Sequence, residues 1–384
     1  MKTSAFVIFF TIVIGIYSLI NYYIYLRGLQ CTTTGSSQRL LFKIAFISLS
    51  VSYLFSRFLE RIFINQFTNI LSWIGAFWLG AMVYFLLFII FIDLLRLLNS
   101  YSNFFPTFIT ANFHKTKIIT FFSVSFIVII LIITGYINTI NTRVQRLEIK
   151  ISKKIGTKKS LNIIAVSDIH LGTQINKRRA TYLVDNINVL KPDIILLAGD
   201  IVDEILDPVI KYNIGDILNK LKAPLGVYAI TGNHEYIGGI ANAAKYITEH
   251  NITLLRDTTV LIDNSFYLAG REDRDKERFT GKARKELPEL LAGINKELPL
   301  ILLDHQPFNL DKAAENNVDL QISGHTHNAQ LFPFNYLAEK IYELSWGYKK
   351  KGNTHFYISC GFGTWGPPMR LGSRSEIVEI KIIN

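Results

Sequence analysis

Cysteine is nearly absent from this 384-residue chain, which holds only Cys31 and Cys360. Two thiols so far apart in sequence suggest neither a disulfide framework nor a thiolate metal site, so the fold must stand on its apolar core. Internal repeats, low-complexity tracts and long disordered linkers are also missing, which argues against solenoids and tails. A stripe of lysine and arginine interleaved with stacking aromatics is lacking too, so the net charge of +11 is no nucleic-acid footprint. Nine lysines and arginines against two carboxylates put +7 of it in residues 1–140, clustered between apolar runs as membrane flanks are.

Long hydrophobic runs are plentiful. Residues 5–26, 40–59, 69–95 and 118–138 are each long enough to cross a hydrocarbon layer of about 30 Å as helices. Lys43 and Arg57 lie in the second run but near its ends, where long cationic side chains snorkel to the headgroups. A cleaved signal peptide would explain the first run alone, and no small-residue cleavage site follows Leu26. The spans offer little besides serines, threonines and end charges, so anchoring is a simpler task for them than transport.

The sequence thus divides into a four-helix transmembrane anchor domain, 1–140, and a second domain, 141–384. The expected setting is a multi-pass cell (inner) membrane. Arg27, Arg39, Arg96, Lys115 and Lys117, with Lys43 at the edge, outnumber Lys2, Arg57 and Arg61 across the loops, which leans toward an exterior C-terminal domain. Counting the basic linker Arg143, Arg146, Lys150, Lys153 and Lys154 reverses the lean.

After the linker, "RLEIKIS" at 146–152 alternates with period two and reads as a half-buried edge strand. Short β-rich runs follow at 161, 193, 226, 266, 298, 318, 355 and 377, with helical segments such as "KRRATYLVDNINVLK" and "IGGIANAAKYITEH" between some of them. Strands alternating with helices predict an α/β domain whose strand-end loops carry the chemistry.

Five of the eight histidines fall at those strand ends. "SDIH" supplies Asp168 and His170, "GDIVD" Asp200 and Asp203, "GNHE" Asn233 and His234, "LDHQP" His305, and "GHTH" His325 and His327. Each group alone has an innocent reading as a helix cap, a turn or a satisfied core histidine. Together, buried carboxylates and imidazoles on separate loops need a cation to gather them. A set of carboxylate, imidazole and amide donors suits manganese, iron or zinc. Asp168, His170, Asp200, Asn233, His305, His325 and His327 exceed one ion's need and match two ions about 3.5–4 Å apart sharing one carboxylate.

The ordered signature D-x-H, GD-x-x-D, GNH[D/E], H and GH-x-H resembles that of the calcineurin-like metallophosphoesterases, over roughly residues 145–384. The whole architecture also looks like transmembrane proteins with a metallophosphoesterase domain, whose relatives include a UDP-2,3-diacylglucosamine pyrophosphohydrolase. The resemblance implies a β-sandwich flanked by helices. It also implies one ion on Asp168, His170 and His327, a second on Asn233, His305 and His325, and Asp200 bridging. His234 would face the substrate phosphate and stabilise charge or protonate the leaving oxygen, oriented by Asp203; the competing reading of Asp203 is a helix cap. The arginine that follows the second aspartate in the protein phosphatase branch is replaced by Glu204, which disfavours a phosphoprotein substrate. Arg271, Arg274 and Arg370 are the candidate substrate clamps.

The charged run 271–286 reads as a solvated helix face or a substrate lid. The stretch after the last motif sets Leu337, Ile341, Leu344 and Tyr348 at helical spacing, as a helix packed on the sandwich or lying in a headgroup layer. The expected function is a membrane-anchored, dinuclear-metal phosphoesterase acting on a phosphorylated lipid or a nucleotide-activated glycolipid. The alternatives are a general cell-envelope phosphodiesterase or phosphatase and a non-catalytic metal-binding membrane sensor.

Overall fold

The computed structural model describes residues 3–156 and 159–383; Lys2, counted above for orientation, lies outside them. The chain forms two compact units, one of residues 1–136 with 366–369 and one of 137–365 with 370–384.

The first unit is helical: α1 (Thr3–Leu29), α2 (Ser37–Glu60), α3 (Gln66–Ser102), a single turn α4 (Thr107–Thr110) and α5 (Phe113–Ile140). Four of these are long and apolar enough to cross a membrane. Their boundaries follow capping chemistry. Ser36 accepts the Arg39 N–H at 3.1 Å to start α2, and Asn65 and Thr68 cap each other reciprocally at the start of α3. Helices α2 and α3 pack closely because Gly75 leaves room that a Cβ would not, since it would lie 2.5 Å from the Tyr53 Cα. Asn21 on α1 makes buried polar contacts with α3: the Trp78 Nε1–H donates to its Oδ1 at 3.0 Å, and its Nδ2–H donates to Met82 Sδ at 3.1 Å. Large apolar side chains such as Leu19, Leu41, Phe122 and Phe126 are exposed on the outer faces, which suits a lipid solvent.

The second unit is a two-sheet sandwich. The first sheet runs in the order β1 (Arg143–Lys150), β12 (Glu376–Ile383), β2 (Ser160–Val166), β3 (Ile194–Ala198), β4 (Val227–Ile230), β5 (Thr253–Leu254). The second runs β10 (Gly347–Lys351), β11 (Thr354–Ile358), β9 (Leu320–Ser323), β8 (Leu300–Leu303), β7 (Phe266–Gly270), β6 (Thr258–Ile262). The α/β sandwich flanked by helices is therefore present, and the edge strand expected from "RLEIKIS" pairs in parallel with β12.

Alternation along each strand sorts side chains between faces. On β3, Ile194, Leu196 and Ala198 enter the layer between the sheets with Phe266, Leu268, Ile301 and Ile322. Ile195 and Leu197 face the opposite way, toward α6 (Lys177–Val189), whose Leu183, Val184 and Ile187 are fully buried. A third apolar layer covers the other face of the second sheet, where Leu302 and Phe356 meet Leu287 and Leu310. Strands β2, β3 and β4 are parallel neighbours in one sheet, and β8 and β9 in the other. Their carboxyl ends deliver five loops, the position where open parallel sheets collect ligands.

Two sequence readings are corrected. The helix inferred from Leu337 to Tyr348 covers only Asn335–Ile341; Leu344 lies beyond it, and Tyr348 belongs to β10, hydrogen-bonded antiparallel to β11. Gly352, with φ +60°, turns the chain between β10 and β11. The run 271–286 is not one solvated helix: only Lys276–Thr280 is helical, and ion pairs from Arg271, Lys276 and Arg284 pin the segment to Asp304 and Asp257.

Candidate metal centre

The loop after β2 carries Asp168 and His170, the loop after β3 Asp200 and Asp203, and the short helix Asn233–Gly238 after β4 presents Asn233 and His234. His305 follows β8; His325 and His327 follow β9. Glycine lets these loops converge. A Cβ on Gly232 would lie 2.1 Å from Asp200 Oδ1, and one on Gly324 would lie 2.3 Å from Asp168 Oδ2. The loops are also strained. Asp168, His170, Asp200, His325 and His327 all hold φ between +48° and +70°, a region that costs non-glycine residues about 1–3 kcal/mol each and recurs at functional sites.

All seven candidate ligands meet. Donor atoms of Asp168, His170 and His327 lie within 4.8 Å of one another, as do those of Asp200, His305 and His325, and those of His170, Asp203 and His234. Asn233 joins the second group through its Oδ1, 2.8 Å from His325 Nδ1. Asp200 reaches two groups: its Oδ2 is 3.1 Å from His305 Nε2 and 3.9 Å from His170 Nε2.

The hydrogen bonds fix which atoms are left over. His305 Nδ1–H donates to the Ala198 carbonyl at 2.7 Å, which leaves its Nε2 lone pair facing the Asp200 carboxylate. Two acceptors so placed require a cation on the line between them. With protein groups alone that cation is a proton: burial opposes it, but Asp200 pushes the His305 imidazole well above its ordinary value. His170 and His327 present Nε2 to Nε2 at 3.1 Å, and the buried His170 Nδ1 has no hydrogen-bond partner. Burial lowers His170 to about 4 and His325 to about 3, and it holds His327 well below its usual range. All three are therefore neutral at pH 7, the form that donates to metals. The donor chemistry and the orphaned nitrogens fit divalent ions.

His234 differs from the others. Its ring Nδ1 lies 3.1 Å from Asp203 Oδ1, and its backbone N–H donates to Asp200 Oδ1 at 2.9 Å. Burial would lower its pKa, but the Asp200 carboxylate and then Asp203 outweigh that and push it up to about 9. Asp203 caps no helix, because the next one starts at Asp207 with Leu206 at its cap position.

The three candidate arginines are placed differently. Arg271 is buried and paired with Asp304 at 2.9 Å, and it also donates to the Lys285 carbonyl. Arg370 is fully buried behind the centre, donating to the Gly361 and Gly363 carbonyls with its Nη2 3.2 Å from His327 Nδ1. Neither is open to a substrate. Arg274 is exposed, with its guanidinium 4.3 Å from the Phe308 ring centroid; Phe308 packs on Tyr342, whose ring lies 6.3 Å from His325.

Sequence reasoning missed Glu235. Its carboxylate is fully buried and accepts four backbone N–H groups: Ile201 and Val202 on Oε1 at 2.7 and 3.0 Å, Gly232 and Asp200 on Oε2 at 2.7 and 3.2 Å. It ties the Asp200 loop to the His234 helix. Burial and then Asp200 push its pKa up to about 7 against the backbone donors, but an oxygen that already accepts two N–H groups leaves no room for an acid proton. The signal available was a glutamate at the third position of a helix that opens at Gly232, where it reaches back to the cap N–H.

The sequence is similar to that of known proteins. The profile of the calcineurin-like phosphoesterases matches residues 161–329. An uncharacterized metallophosphoesterase of Aquifex aeolicus is 32% identical over 259 residues, which are 67% of this chain and 98% of that protein. This chain belongs to the calcineurin-like phosphoesterase family. An uncharacterized metallophosphoesterase of Helicobacter pylori is 34% identical over 230 residues, covering 59% of this chain and 60% of the relative. A bovine transmembrane protein with metallophosphoesterase domain is 32% identical over 267 residues, covering 65% and 60%. The matches span 60% of the length of these last two relatives.

Proposed function

We propose that this chain is a membrane-anchored phosphoesterase working through two divalent ions. One ion would be held by Asp168, His170 and His327 and the other by Asn233, His305 and His325, with Asp200 shared. The observation that carries the reading is the placement of one Asp200 oxygen between the His305 and His170 Nε2 atoms, at 3.1 and 3.9 Å. When bound, such ions supply neutralisation of the phosphoryl oxygens and a water acidified to near neutrality.

The chain's own residues do the rest. Asp203 accepts the His234 Nδ1–H and so fixes the ring with its other proton on Nε2, available to a departing oxygen. The ring is packed edge-on against His170, with centroids 4.5 Å apart, and against Trp365, 6.1 Å away, which limits its rotation. The Asp203–His234 pair favours catalysis over a silent metal sensor, which would need ligands but no proton donor. Arg274, Phe308 and Tyr342 form a cationic and aromatic wall beside His325 that would receive the substrate's second substituent.

The substrate class that fits best is a phosphorylated lipid or a nucleotide-activated glycolipid. The four apolar helices support it, as do the exposed Phe332, Tyr336, Leu337 and Ile341 on and beside helix 335–341, the last three more than half exposed. A cytoplasmic catalytic domain would favour UDP-2,3-diacylglucosamine, cleaved at its pyrophosphate; an exterior one would favour envelope phospholipids. The test is a panel of phosphodiesters, nucleotide-sugars and lipid pyrophosphates presented to manganese-loaded protein in detergent, with elemental analysis of the same sample. Turnover of a lipid-linked phosphoester with two ions per chain is the expected result. Turnover of soluble monoesters alone would end the lipid assignment, and failure to bind ions would end the dinuclear one.

A further inference from the structure

The helical unit contains a cavity of about 520 Å³ among α1, α2, α3 and α5, within the 300–1,000 Å³ range of ligand sites. Its wall is apolar along most of its length, formed by Phe46, Leu49, Trp78, Phe85, Phe121 and Val124. Trp78 and Arg96, both in the wall, are 18 residues apart on α3, or about 27 Å along the axis, close to the hydrocarbon thickness of about 30 Å.

One end is charged. Arg27 lies at the carboxyl end of α1, Arg96 in the last turns of α3 and Lys117 in the first turns of α5, and all three line the cavity with Asp93. Their neighbourhood is fixed by contacts. Arg27 and Arg96 both pair with Asp93, Arg96 and Lys117 lie over the Phe113 ring at 5.5 and 5.1 Å, and Cys31 Sγ is 3.5 Å from the Lys117 carbonyl. Asp93 also accepts the Tyr23 hydroxyl. Three cations thus share one carboxylate that is already committed to two of them, and among the described residues Lys117 has no carboxylate partner.

Flanking lysines and arginines on an ordinary anchor face the headgroup layer from a convex helix surface. Here they close one end of an elongated apolar cavity, which is the shape and polarity of a single amphiphile with an anionic head. We propose that the helical unit is a binding site for one anionic glycerophospholipid, its phosphate on Arg27, Arg96 and Lys117 and an acyl chain along Trp78, Phe85 and Phe46. The site uses none of the residues of the metal centre, and the proposal stands whether or not the phosphoesterase reading does. It gives the helices a ligand of their own beyond anchoring.

The experiment uses the full chain in nanodiscs of phosphatidylcholine with a minority of phosphatidylglycerol, re-extracted in mild detergent, with retained lipid counted by mass spectrometry. One or two uncompensated cations predict roughly five- to thirtyfold enrichment of phosphatidylglycerol over its bulk fraction. The Arg96→Gln/Lys117→Gln double variant should return retention to the bulk ratio, and Lys117→Arg should preserve the enrichment. Ala45→Trp, which fills the cavity wall without touching charge, should lower retention of both lipids. Melting curves establish that each variant is folded; should the tryptophan variant not fold, the Lys117→Arg and double-variant pair decides. No enrichment, enrichment unchanged in the double variant, or full displacement by millimolar inorganic phosphate would overturn the proposal, the last because a free anion would then be the true ligand.

Discussion

Replacing Glu235 by glutamine changes one oxygen into an NH₂ group and nothing else in shape, so its effect can be worked out from the hydrogen bonds. Oε1 accepts from Ile201 and Val202, and Oε2 from Asp200 and Gly232. Each oxygen therefore serves two donors, and whichever way the amide is turned its NH₂ confronts two N–H groups that lose their acceptor. Two buried donors left unpaired cost about 1–3 kcal/mol each, so Glu235→Gln should destabilise the second unit by roughly 2–6 kcal/mol. For a unit of this size that is a fall in Tm of about 5–20 °C. The affected loop carries Asp200, so metal affinity should fall as well, and added manganese should recover part of the lost Tm through mass action. The assay is a thermal melt of purified protein in detergent, with and without metal, paired with metal titration. If the variant melts within about 2 °C of the parent and binds metal with unchanged affinity, Glu235 does not organise the loop, and the positioning role assigned to it is wrong.

His234→Ala should lower turnover by about 10²–10⁴-fold while metal content stays as in the parent, because the backbone N–H to Asp200 survives the change. The loss should be larger for phosphodiesters with poor leaving groups than for nitrophenyl esters; an equal loss for both would remove the proton-donor role. Arg271→Met breaks a buried pair and should cost about 3 kcal/mol, the low end for such pairs, since Arg284 still reaches Asp304 at 2.7 Å. A raised KM with unchanged Tm would instead return Arg271 to the substrate. Asp257 is held below its ordinary 3.8 even though burial raises it, because Lys276 and the N–H groups of Glu272 and Lys285 outweigh burial. Its contribution is complete above that value and is lost as pH falls through the lower folded one, so Asp257→Asn should flatten the decline of Tm between about pH 5 and pH 2.

The ligand loops were legible in the sequence because their signal is local. Each is a short apolar strand followed within a few residues by a glycine, aspartate or histidine, and the parallel sheets bring the strand ends together. Partnerships across long separations left no such mark. Arg271 looked open because it follows a strand, but Asp304, which buries it, is 33 residues away; Arg370 sits under His327, 43 residues before it. Strand β6 went unread although its signal was present: Asp263 and Asn264, at φ +48° and +49°, begin the short turn between β6 and β7, and such residues tolerate that conformation. Strand β10 was masked by a helical spacing that happened to continue past the true end of the helix.

The membrane spans show the same division between local and distant information. Length and hydropathy locate four helices from sequence, because a lipid solvent asks little more of a span than apolar side chains and internal backbone hydrogen bonds. What lies between the helices is decided by which residues meet, and the sequence offers no period for that. Asp93 illustrates the point: a lone carboxylate near the end of a span reads as an end charge, but in the fold it joins Arg27, Arg96 and Tyr23 at the mouth of an apolar cavity. A charge that served only to mark the end of a span would need no partner from another helix. Placing one acid among three bases, so that it orders the arginines without cancelling them, is what the recognition of an anion requires.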